Sequence, residues 1–526
     1  MFNVLIADAL SPSAGEIFGK NGISVDIRLG LAPAELTAII GAYDGLAVRS
    51  ATKVTRPILE AASNLKVVGR AGIGVDNIDV AAATQRGIVV MNAPHGNAVT
   101  TAEHAIAMIL ALARKIPQAN ASTHAGRWEK ERFVGIELAG KTLGIIGCGN
   151  VGSIVADRAH GLKMRVIAYD PYLSDERTRD LAVEKLDLQE VLKRSDVITL
   201  HAPLTEATRH MINAAALARV KPGVLIVNCA RGELVVEADL KAAIVSGHVA
   251  GAALDVFSEE PARSNPLFGM EQVIATPHLG ASTAEAQEKV AVQIAEQMAD
   301  FLLSGAVSNA VNMPSVTAEE APRLKPYIRL ASQLGSFAGQ LTRSGIRAVT
   351  VEYEGHAAAL NTRPITAAAL TGLLSHMLDH VNMVNAPLLA REREIAVTEV
   401  KHDRPSDYQT LIRLTVETDR RKRDVAGTLF GGDKPRVVEI KGISIEAELG
   451  RYMLYITNED RPGFIGCLGT ALGDGGVNIA TFHLGRSAPG ADAIALVEVD
   501  QPLTDEMLNR LRVIPHVVQV ESLTLQ

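Results

Sequence analysis

Three residues that could bind a carboxylate or support proton transfer each follow a short apolar run of the kind that forms a buried strand. They are Arg231 in "VNCARGELV", Glu260 in "LDVFSEEP" and His278 in "ATPHLGAST". A guanidinium can bind a carboxylate through two parallel hydrogen bonds, and an imidazole can take a hydroxyl proton and return it. A carboxylate on the other ring nitrogen would fix the imidazole tautomer, and spacing allows either Glu259 or Glu260 to do so. Taken singly, Arg231 would be a surface ion pair and His278 structural, but three successive strand ends favour catalysis.

A glycine-rich turn precedes these residues in the stretch "LGIIGCGNVGSIVADR", residues 143 to 158. Gly147, Gly149 and Gly152 have the G-x-G-x-x-G spacing, with an apolar strand pattern before them and a helical pattern after them. Such a turn offers backbone N–H groups and a helix N-terminus to a pyrophosphate. Asp170 ends the next strand, where a carboxylate can accept both ribose hydroxyls and would repel a 2′-phosphate. The stretch therefore predicts NAD rather than NADP as the cofactor.

These stretches together resemble the D-isomer-specific 2-hydroxyacid dehydrogenase family, through "GCGNVG", "NCARGELV", "ALDVFSEEP" and "TPHLGAST". Over nearly all 526 residues the chain resembles the long-chain branch of that family that acts on D-3-phosphoglycerate. The resemblance implies NAD-dependent oxidation of this small molecule to 3-phosphooxypyruvate, the first step of serine biosynthesis. It implies Arg231, Glu260 and His278 as the catalytic set, with Glu260 chosen because it precedes Pro261.

The resemblance also extends the expected cofactor site beyond the glycine turn, to residues at the ends of later strands. The full expected NAD-binding set is Gly147, Gly149, Asn150, Val151, Gly152, Asp170, Cys229, Ala230, Arg231, Asp255, His278, Gly280 and Ala281. Other 2-hydroxyacid dehydrogenases share this core, and so do NAD-sensing binding proteins of the same fold. Both remain alternatives to the activity on phosphoglycerate.

Substrate selection is expected in the first hundred residues. In "LAVRSATKVT", Arg49, Ser50 and Lys53 bring cationic and hydroxyl groups to a strand end, and in "GRAGIGVDNID" residues 72 to 74 could bring backbone N–H groups to an anion. A tight turn and a solvated cation pair are the alternatives. The resemblance favours phosphate or carboxylate contacts here and adds two residues further along. The expected substrate-binding set is Arg49, Ser50, Gly72, Ile73, Gly74, Asn97 and Thr100.

The elements that must position these residues predict an α/β chain. Short runs rich in Val, Ile and Leu alternate with helical patterns up to about residue 306, which is typical of parallel strands with crossover helices. We expect a flavodoxin-like substrate domain (1–98 and 280–306) into which a Rossmann-type NAD-binding domain (99–279) with six strands is inserted. An α+β intervening domain (307–450) and a ferredoxin-like ACT domain (451–526) follow, the last two named by the resemblance.

Two residues of the last domain are expected to be regulatory. Asp460 in "NEDRPGFIG" and Asn478 in "GGVNIATF" lie at turns next to strand patterns. The resemblance to ACT domains implies an amino-acid site there, shared across a domain pair, with L-serine as a possible effector. Helix caps and turns are the alternative role for both side chains.

Composition sets the class of protein and its partners. The formal net charge of −7, from 52 Lys and Arg against 59 Asp and Glu, gives no electrostatic reason to expect a nucleic-acid or membrane partner. Three separated cysteines without a C-x-x-C pair predict no zinc site and a reducing compartment, and the N-terminus lacks a signal-peptide pattern, so we expect a cytoplasmic protein. We also expect a homo-oligomer, a tetramer, with the helix after Thr100 and its loop around Trp128 at a dimer interface.

Overall fold

Four β-sheets organise the chain in the computed structural model, which describes residues 1–94, 96–317, 319–402 and 408–525. Two parallel sheets occupy the first 300 residues and two largely antiparallel sheets the remainder. The predicted α/β fold class is confirmed. Within the described residues, no helix is both long enough and apolar enough to cross a bilayer.

The first sheet has five parallel strands in the order β2-β1-β3-β4-β5, which is the flavodoxin-like order. The strands are β1 (Asn3–Ile6), β2 (Ser24–Ile27), β3 (Gly45–Val48), β4 (Val67–Arg70) and β5 (Val89–Asn92), and the helices between them are α1 (Pro12–Lys20), α2 (Pro33–Ile39), α3 (Arg56–Ala61) and α4 (Val80–Gln85). β3 is buried along its whole length because helices cover both faces of the sheet.

Two helices, α5 (Ala98–Arg114) and α6 (Ile116–His124), lead from the first sheet to the second. The sequence predicted one continuous helix here, and that expectation is wrong. Lys115 has a left-handed backbone, with φ of 53°, and Pro117 lies in the first turn of α6. A proline at that position has no backbone N–H to donate the hydrogen bond that would continue α5. The first helix therefore ends at Arg114 and a second helix begins at Ile116.

The second sheet has the order β12-β11-β10-β9-β6-β7-β8, with all strand pairs parallel, as in dinucleotide-binding domains. Its elements are β6 (Thr142–Ile146), α7 (Asn150–Gly161), β7 (Arg165–Tyr169), α8 (Asp175–Asp180), β8 (Glu184–Lys185), α9 (Leu188–Arg194), β9 (Val197–Leu200), α10 (Ala214–Leu217), β10 (Val224–Asn228), α11 (Glu237–Val245), β11 (Val249–Leu254) and β12 (Val273–Ala275). The sequence predicted six strands and missed β8, because two exposed charged residues have no apolar pattern to reveal a strand.

After the second sheet, α12 (Ala284–Ser304) returns to the first sheet. Its residues Ile294 and Met298 are fully buried, and a side chain on Gly69 of β4 would lie 2.2 Å from the Met298 sulfur. The chain therefore leaves the first sheet through α5, builds the second sheet and comes back. The domain limits given above remain predictions.

The third sheet has the order β14-β13-β15-β16-β17-β18 and packs against the two long helices that precede and follow its first strand along the chain. Its elements are α13 (Ala321–Gln340), β13 (Ile346–Gly355), α14 (Thr362–Leu374), α15 (Ala386–Glu392), β14 (Ala396–His402), β15 (Thr410–Thr418), β16 (Lys422–Phe430), β17 (Lys434–Ile440) and β18 (Ile443–Ala447). The alternating pattern of the stretch "VVEIKGISIEAE" predicts a strand, but the stretch forms the β17–β18 hairpin, because Lys441 and Gly442 both have positive φ.

The fourth sheet has the order β20-β21-β19-β22, with two helices, which is the ferredoxin-like arrangement. Its elements are β19 (Tyr452–Glu459), α16 (Phe464–Asp474), β20 (Ile479–Arg486), β21 (Asp492–Val499), α17 (Asp505–Arg512) and β22 (Val517–Thr524). The order strand, helix, two strands, helix, strand agrees with the sequence pattern. This sheet packs against the third unit, where the rings of Tyr455 and Phe337 meet edge to face with centroids 5.7 Å apart.

Candidate active site

The three predicted catalytic residues follow three neighbouring parallel strands of the second sheet. Arg231 follows β10, Glu260 follows β11 and His278 follows β12. Because carboxyl ends of parallel strands meet at one edge of the sheet, the structure brings the three residues to the same edge. The backbone N–H of His278 donates to the Asp255 carbonyl over 2.9 Å, which ties the turn after β12 to the end of β11.

Glu260 contacts the imidazole directly, so of the two glutamates left open by spacing it is Glu260 that bonds His278. Its Oε2 lies 2.7 Å from Nδ1 of His278, and its Oε1 accepts the backbone N–H of Phe257 over 3.0 Å. Burial alone would raise the pKa of Glu260, but the bonds from His278 and Phe257 hold that pKa below its ordinary value. An ionised Glu260 keeps the proton on Nδ1, and Nε2 of His278 is then an acceptor.

Arg231 spans the cleft between the first two sheets. Its Nε donates to Asp76 Oδ2 over 2.7 Å, and its Nη1 donates to the Ala230 carbonyl over 2.6 Å. Its Nη2 lies directly over Gly74, where a Cβ atom would be 1.6 Å away. The glycine at position 74 therefore gives the guanidinium its place in the cleft, and Asp76 fixes the plane of that guanidinium.

Arg70, at the end of β4, belongs to the same cleft and was missed by the sequence prediction. Burial, followed by the positive charges of Arg231 and Arg49, lowers its pKa to about 10, while Asp76 and Asp8 act in the opposite direction. Its Nε is buried without a hydrogen-bond partner in the described part of the chain. Arg70 in "LKVVGRAG" closes an apolar run just as Arg49 does in "LAVRS", and this shared position at the end of a strand pattern was the available signal.

The other predicted substrate residues lie around this cluster or beside it. The Arg49 backbone N–H donates to Asp8 Oδ2 over 2.6 Å, while Ser50 and Lys53 are exposed. A Cβ on Gly72, whose φ is 151°, would lie 1.9 Å from Nη1 of Arg70, so this position holds the arginine by lacking a side chain. The carbonyl of Ile73 accepts the Asn92 amide.

Two further substrate candidates, Asn97 and Thr100, lie at the N-terminal end of α5. The Asn97 side chain is buried, and its Oδ1 has no hydrogen-bond partner among the described residues. A buried amide oxygen without a donor is costly unless a ligand supplies one. Thr100 lies 3.4 Å from Thr283 between their hydroxyl oxygens, where α12 begins.

The glycine turn after β6 has the space that a dinucleotide requires. Gly147 has φ of 90°, and a Cβ there would lie 2.7 Å from the backbone nitrogen of Ala202. A Cβ on Gly152 would lie 2.1 Å from the Gly147 carbonyl, so helix α7 packs closely on the strand. Gly149 is the N-cap of α7, and no atom lies within 4 Å of the position that its Cβ would take. The N-terminus of α7 is therefore accessible to a pyrophosphate.

Asp170 stands beside that turn and is organised by backbone donors. Its Oδ2 accepts the Cys148 N–H over 2.8 Å and its Oδ1 accepts the Tyr172 N–H over 2.8 Å. Each carboxylate oxygen retains a second lone pair for a ribose hydroxyl. Asn150 and Val151, in the first turn of α7, follow Gly149 directly, and the Asn150 amide lies 3.4 Å from the Pro94 carbonyl of the first unit.

The remaining cofactor candidates surround the carboxylate of Asp255, which is fully buried. Its Oδ2 accepts the backbone N–H of Gly280 over 2.8 Å. Ala281 is the next residue in the chain. Cys229 and Ala230 follow β10 directly, and burial, together with the Asp255 charge, raises the pKa of the Cys229 thiol. A thiol held neutral at pH 7 acts as a packing group here rather than as a nucleophile.

The predicted regulatory residues, Asp460 and Asn478, lie in the fourth unit, far along the chain from the cleft residues. Both side chains are hydrogen-bonded to other residues of that unit. Asp460 Oδ2 accepts Nη1 of Arg486 and the backbone N–H of Gly490, both over 3.0 Å. The Asn478 amide donates to Asp500 Oδ2 over 2.7 Å. The Gly490 N–H and then Arg486 hold the pKa of Asp460 below its ordinary value.

Family models match two parts of the chain. Residues 106–280 match the NAD-binding domain of the D-isomer-specific 2-hydroxyacid dehydrogenases, and residues 323–441 match the intervening domain of D-3-phosphoglycerate dehydrogenase. The first match covers the glycine turn and all three candidate catalytic residues.

Curated relatives match over essentially the full length. The D-3-phosphoglycerate dehydrogenase of Bacillus subtilis is 42% identical over 526 residues, with 100% of both chains covered. That of Methanocaldococcus jannaschii is 42% identical over 527 residues, again with 100% of both chains covered, and that of Synechocystis sp. is 43% identical over 513 residues, covering 97% of this chain and 92% of the relative.

Solved structures match about three fifths of the chain. The TT0316 protein of Thermus thermophilus is 33% identical, with a TM-score of 0.55 over 59% of this chain and 100% of that protein. A D-lactate dehydrogenase of Aquifex aeolicus, solved with NAD and lactic acid, is 27% identical, with a TM-score of 0.54 over 60% of this chain and 100% of that one.

Proposed function

We propose that this chain, which belongs to the D-3-phosphoglycerate dehydrogenase family, oxidises D-3-phosphoglycerate to 3-phosphooxypyruvate with NAD. The observation that carries the proposal is the 2.7 Å contact between Glu260 and His278 at the strand edge that also bears Arg231. An acceptor nitrogen beside a fixed guanidinium suits oxidation of a hydroxyl group next to a carboxylate.

His278 and Arg231 divide the work on the 2-hydroxy acid. His278 Nε2 takes the hydroxyl proton, and Glu260 on Nδ1 stabilises the imidazolium that forms. Arg231 holds the substrate carboxylate, because Asp76 orients its guanidinium and Gly74 leaves room for it. NAD, when bound against the glycine turn, supplies the acceptor for the hydrogen at C2.

Arg49, Arg70 and Asn97 hold the phosphorylated end of the substrate in this proposal. Burial lowers the pKa of Arg70, and the positive charges of Arg231 and Arg49 lower it further, so an anion between Arg49 and Arg70 would relieve part of this repulsion. Asn97 contributes beside them through its Nδ2 amide group, which can donate to a phosphate oxygen, whereas its unpaired Oδ1 can only accept from a hydroxyl or amide of a ligand. A substrate with a carboxylate at one end and a phosphate at the other would place the carboxylate at Arg231 and the phosphate at Arg49 and Arg70.

A steady-state assay tests the reaction. We expect the purified chain to reduce NAD with D-3-phosphoglycerate at a kcat/KM at least about tenfold above that with D-glycerate or D-lactate, since both lack the phosphate that Arg49 and Arg70 would bind. A higher kcat/KM with lactate would overturn the choice of substrate while leaving the dehydrogenase chemistry intact.

The cofactor choice has its own test. Asp170 offers carboxylate oxygens where the adenosine ribose would lie, and its charge would repel a 2′-phosphate. We expect strong preference for NAD over NADP, and a relaxed preference in Asp170→Ala. Equal use of both cofactors by the unsubstituted chain would count against the role of Asp170.

The assembly and location of the chain are part of the proposal. The segment from α5 to residue 136 exposes large apolar side chains, with Trp128 81% exposed and Val134 70% exposed, and this supports a homo-oligomer that covers them. A tetramer is the proposed size and the cytoplasm the proposed compartment, in keeping with three unpaired cysteines. Sedimentation at active concentrations should show an oligomer, and a monomer there would refute this part.

Regulation by L-serine through the fourth unit is also proposed, as part of a place at the entry to serine synthesis. The ferredoxin-like unit that carries Asp460 and Asn478 is separate from the cleft, so serine would act through movement of units or subunits rather than by competing with substrate. Its support is the fold of the unit and the full-length relatives.

A further inference from the structure

A partly buried histidine outside the catalytic set connects α5 to the strand ends of the second sheet. His104 Nε2 lies 3.2 Å from Asp255 Oδ1 and 3.4 Å from the Thr276 hydroxyl oxygen. Its side chain is 19% exposed. The imidazole therefore has a fixed polar neighbourhood on the side of the second sheet where β11 and β12 end.

The contact between His104 and Asp255 matters for the charge of Asp255. Its carboxylate is fully buried and must be hydrogen-bonded to remain ionised. Its Oδ1 accepts the Leu279 N–H over 2.7 Å and the Thr276 hydroxyl over 2.6 Å. Its Oδ2 accepts the Gly280 N–H over 2.8 Å. Burial raises the pKa of Asp255, whereas the bonds from His104, Thr276 and Leu279 lower it, and the net pKa lies below its ordinary value.

The donors that Asp255 gathers belong to the turn that carries the candidate catalytic base. His278 has φ of 53°, a left-handed conformation that a residue with a side chain adopts only when its surroundings impose it. Leu279 and Gly280, the next two residues, are both bonded to the Asp255 carboxylate. An ionised Asp255 thus holds the backbone on which the His278 imidazole stands.

The same turn is held to α5 at a second point. The Thr101 hydroxyl donates to the Gly280 carbonyl over 3.0 Å, one helical turn before His104. α5 begins at Ala98, directly after Asn97, at the place where the chain passes from the first sheet to the second. His104 is consequently part of the connection between the substrate side of the cleft and the turn at His278.

We propose that His104 is a positioning residue for the reaction, which donates from Nε2 to Asp255 and thereby keeps the 278–280 turn in place. The inference rests on the proposed function for its kinetic readout. His104 does not touch the substrate in this proposal. It acts through Asp255, which is also an expected NAD contact, so its loss should affect NAD binding and turnover but not phosphoglycerate binding.

Paired substitutions at position 104 separate the hydrogen bond from packing. His104→Leu removes the donor, and we expect kcat to fall about tenfold and the Kd for NAD to rise about fivefold, with the KM for phosphoglycerate changed less than twofold. His104→Gln places an amide N–H at the same distance from the backbone and should restore both quantities to within about threefold of the unsubstituted chain.

His160 provides the matched control. It lies on α7 of the same domain, and its Nε2 is 3.0 Å from the Leu181 carbonyl, far along the chain from the 278–280 turn. His160→Leu removes a comparable bond and should leave kcat and NAD affinity unchanged, even if the unfolding temperature falls. A His104→Leu protein that behaves like His160→Leu would overturn the inference, and so would equal losses in His104→Leu and His104→Gln.

Calorimetric NAD binding distinguishes failure of this inference from failure of the proposed function. NAD titration needs no substrate, so the fivefold weakening in His104→Leu is measurable whatever 2-hydroxy acid the enzyme prefers. If the unsubstituted chain fails to oxidise phosphoglycerate, the proposed function is wrong, whereas the calorimetric comparison of the three variants still decides the role of His104.

Discussion

The cleft between the first two sheets and the C-terminal unit both carry polar side chains proposed to bind ligands. Among the described residues, only the cleft leaves atoms of such candidates, Arg70 and Asn97, without a hydrogen-bond partner. Around Arg70 the charges of Arg49 and Arg231 add to its own, against the carboxylates of Asp8 and Asp76. Arg70 Nε also has no partner in the described residues. This region carries an excess of positive charge that an anionic ligand would relieve.

The C-terminal unit bonds its candidate ligand residues internally. Asp460 accepts from Arg486 and Gly490, and Asn478 donates to Asp500. An effector there would have to replace existing hydrogen bonds, so its net binding energy would be the small difference between old and new contacts. A ligand can therefore gain more binding energy from the cleft residues than from the C-terminal ones, whose hydrogen bonds are already made.

The largest expected effect is on catalysis in the cleft. His278→Ala should lower kcat by a factor of about 10² or more, because the acceptor for the hydroxyl proton is lost, while the Kd for NAD changes little. Stopped assays of NAD reduction and calorimetric NAD titration measure the two quantities. Unchanged turnover would show that His278 is not the proton acceptor, and the cleft would then lose its assignment as the catalytic site.

The second effect is on stability and concerns His201, next to the glycine turn. Burial lowers the pKa of His201 to about 4, so the folded chain keeps it neutral while the unfolded chain, with a pKa near 6.5, binds a proton. Stability is therefore lost as pH falls from about 6.5 to about 4, by roughly 3 kcal/mol in the nucleotide-binding unit. Denaturant unfolding of the chain at pH 7 and pH 4.5 should show this loss.

His201→Gln removes the titrating group and serves as its control. The variant should show a smaller loss between the two pH values than the unsubstituted chain, even if it is less stable at pH 7. Equal losses in the two proteins would mean that other groups of the chain dominate the acid response.

A third, smaller effect sharpens the role of the unpaired arginine. Arg70→Gln should raise the KM for phosphoglycerate about tenfold and leave the Kd for NAD unchanged, because only one of the proposed phosphate contacts is removed. Arg56→Gln is the matched control, since Arg56 is an exposed arginine of the same unit bonded to Gln85. Similar losses for both ligands in Arg70→Gln would point to a misfolded domain instead.

The smallest effect on basal activity is expected in the C-terminal unit. Asp460→Ala removes the bonds to Arg486 and Gly490 and should change kcat without serine by less than about twofold, while any inhibition by L-serine disappears. Glu506→Ala, at an exposed position of α17, should keep the inhibition. If serine neither binds nor inhibits the unsubstituted chain, the regulatory proposal is wrong and the internal bonds of Asp460 are purely structural.

Much of the fold was predictable because its signals are local. Buried strands such as β10 are unbroken apolar runs, and the glycine turn requires residues without side chains at fixed spacing. The prediction failed where local patterns were absent or ambiguous. β8 consists of two exposed charged residues. The β17–β18 turn depends on the positive φ of Lys441, a conformation that lysine rarely adopts and that its residue type therefore does not predict.

The residue types at the strand ends, and with them the class of chemistry, follow from the amino-acid sequence alone. Spacing could not decide between Glu259 and Glu260, because either carboxylate lies on the same short loop, and only the three-dimensional path of that loop brings Glu260 to His278. The meeting of Arg231 with Asp76, residues 155 apart in the chain, was likewise decided by how the two domains face each other. Contacts of this kind depend on domain packing rather than on local propensity, and a buried group such as Arg70 acquires its altered pKa only when that packing removes water from it.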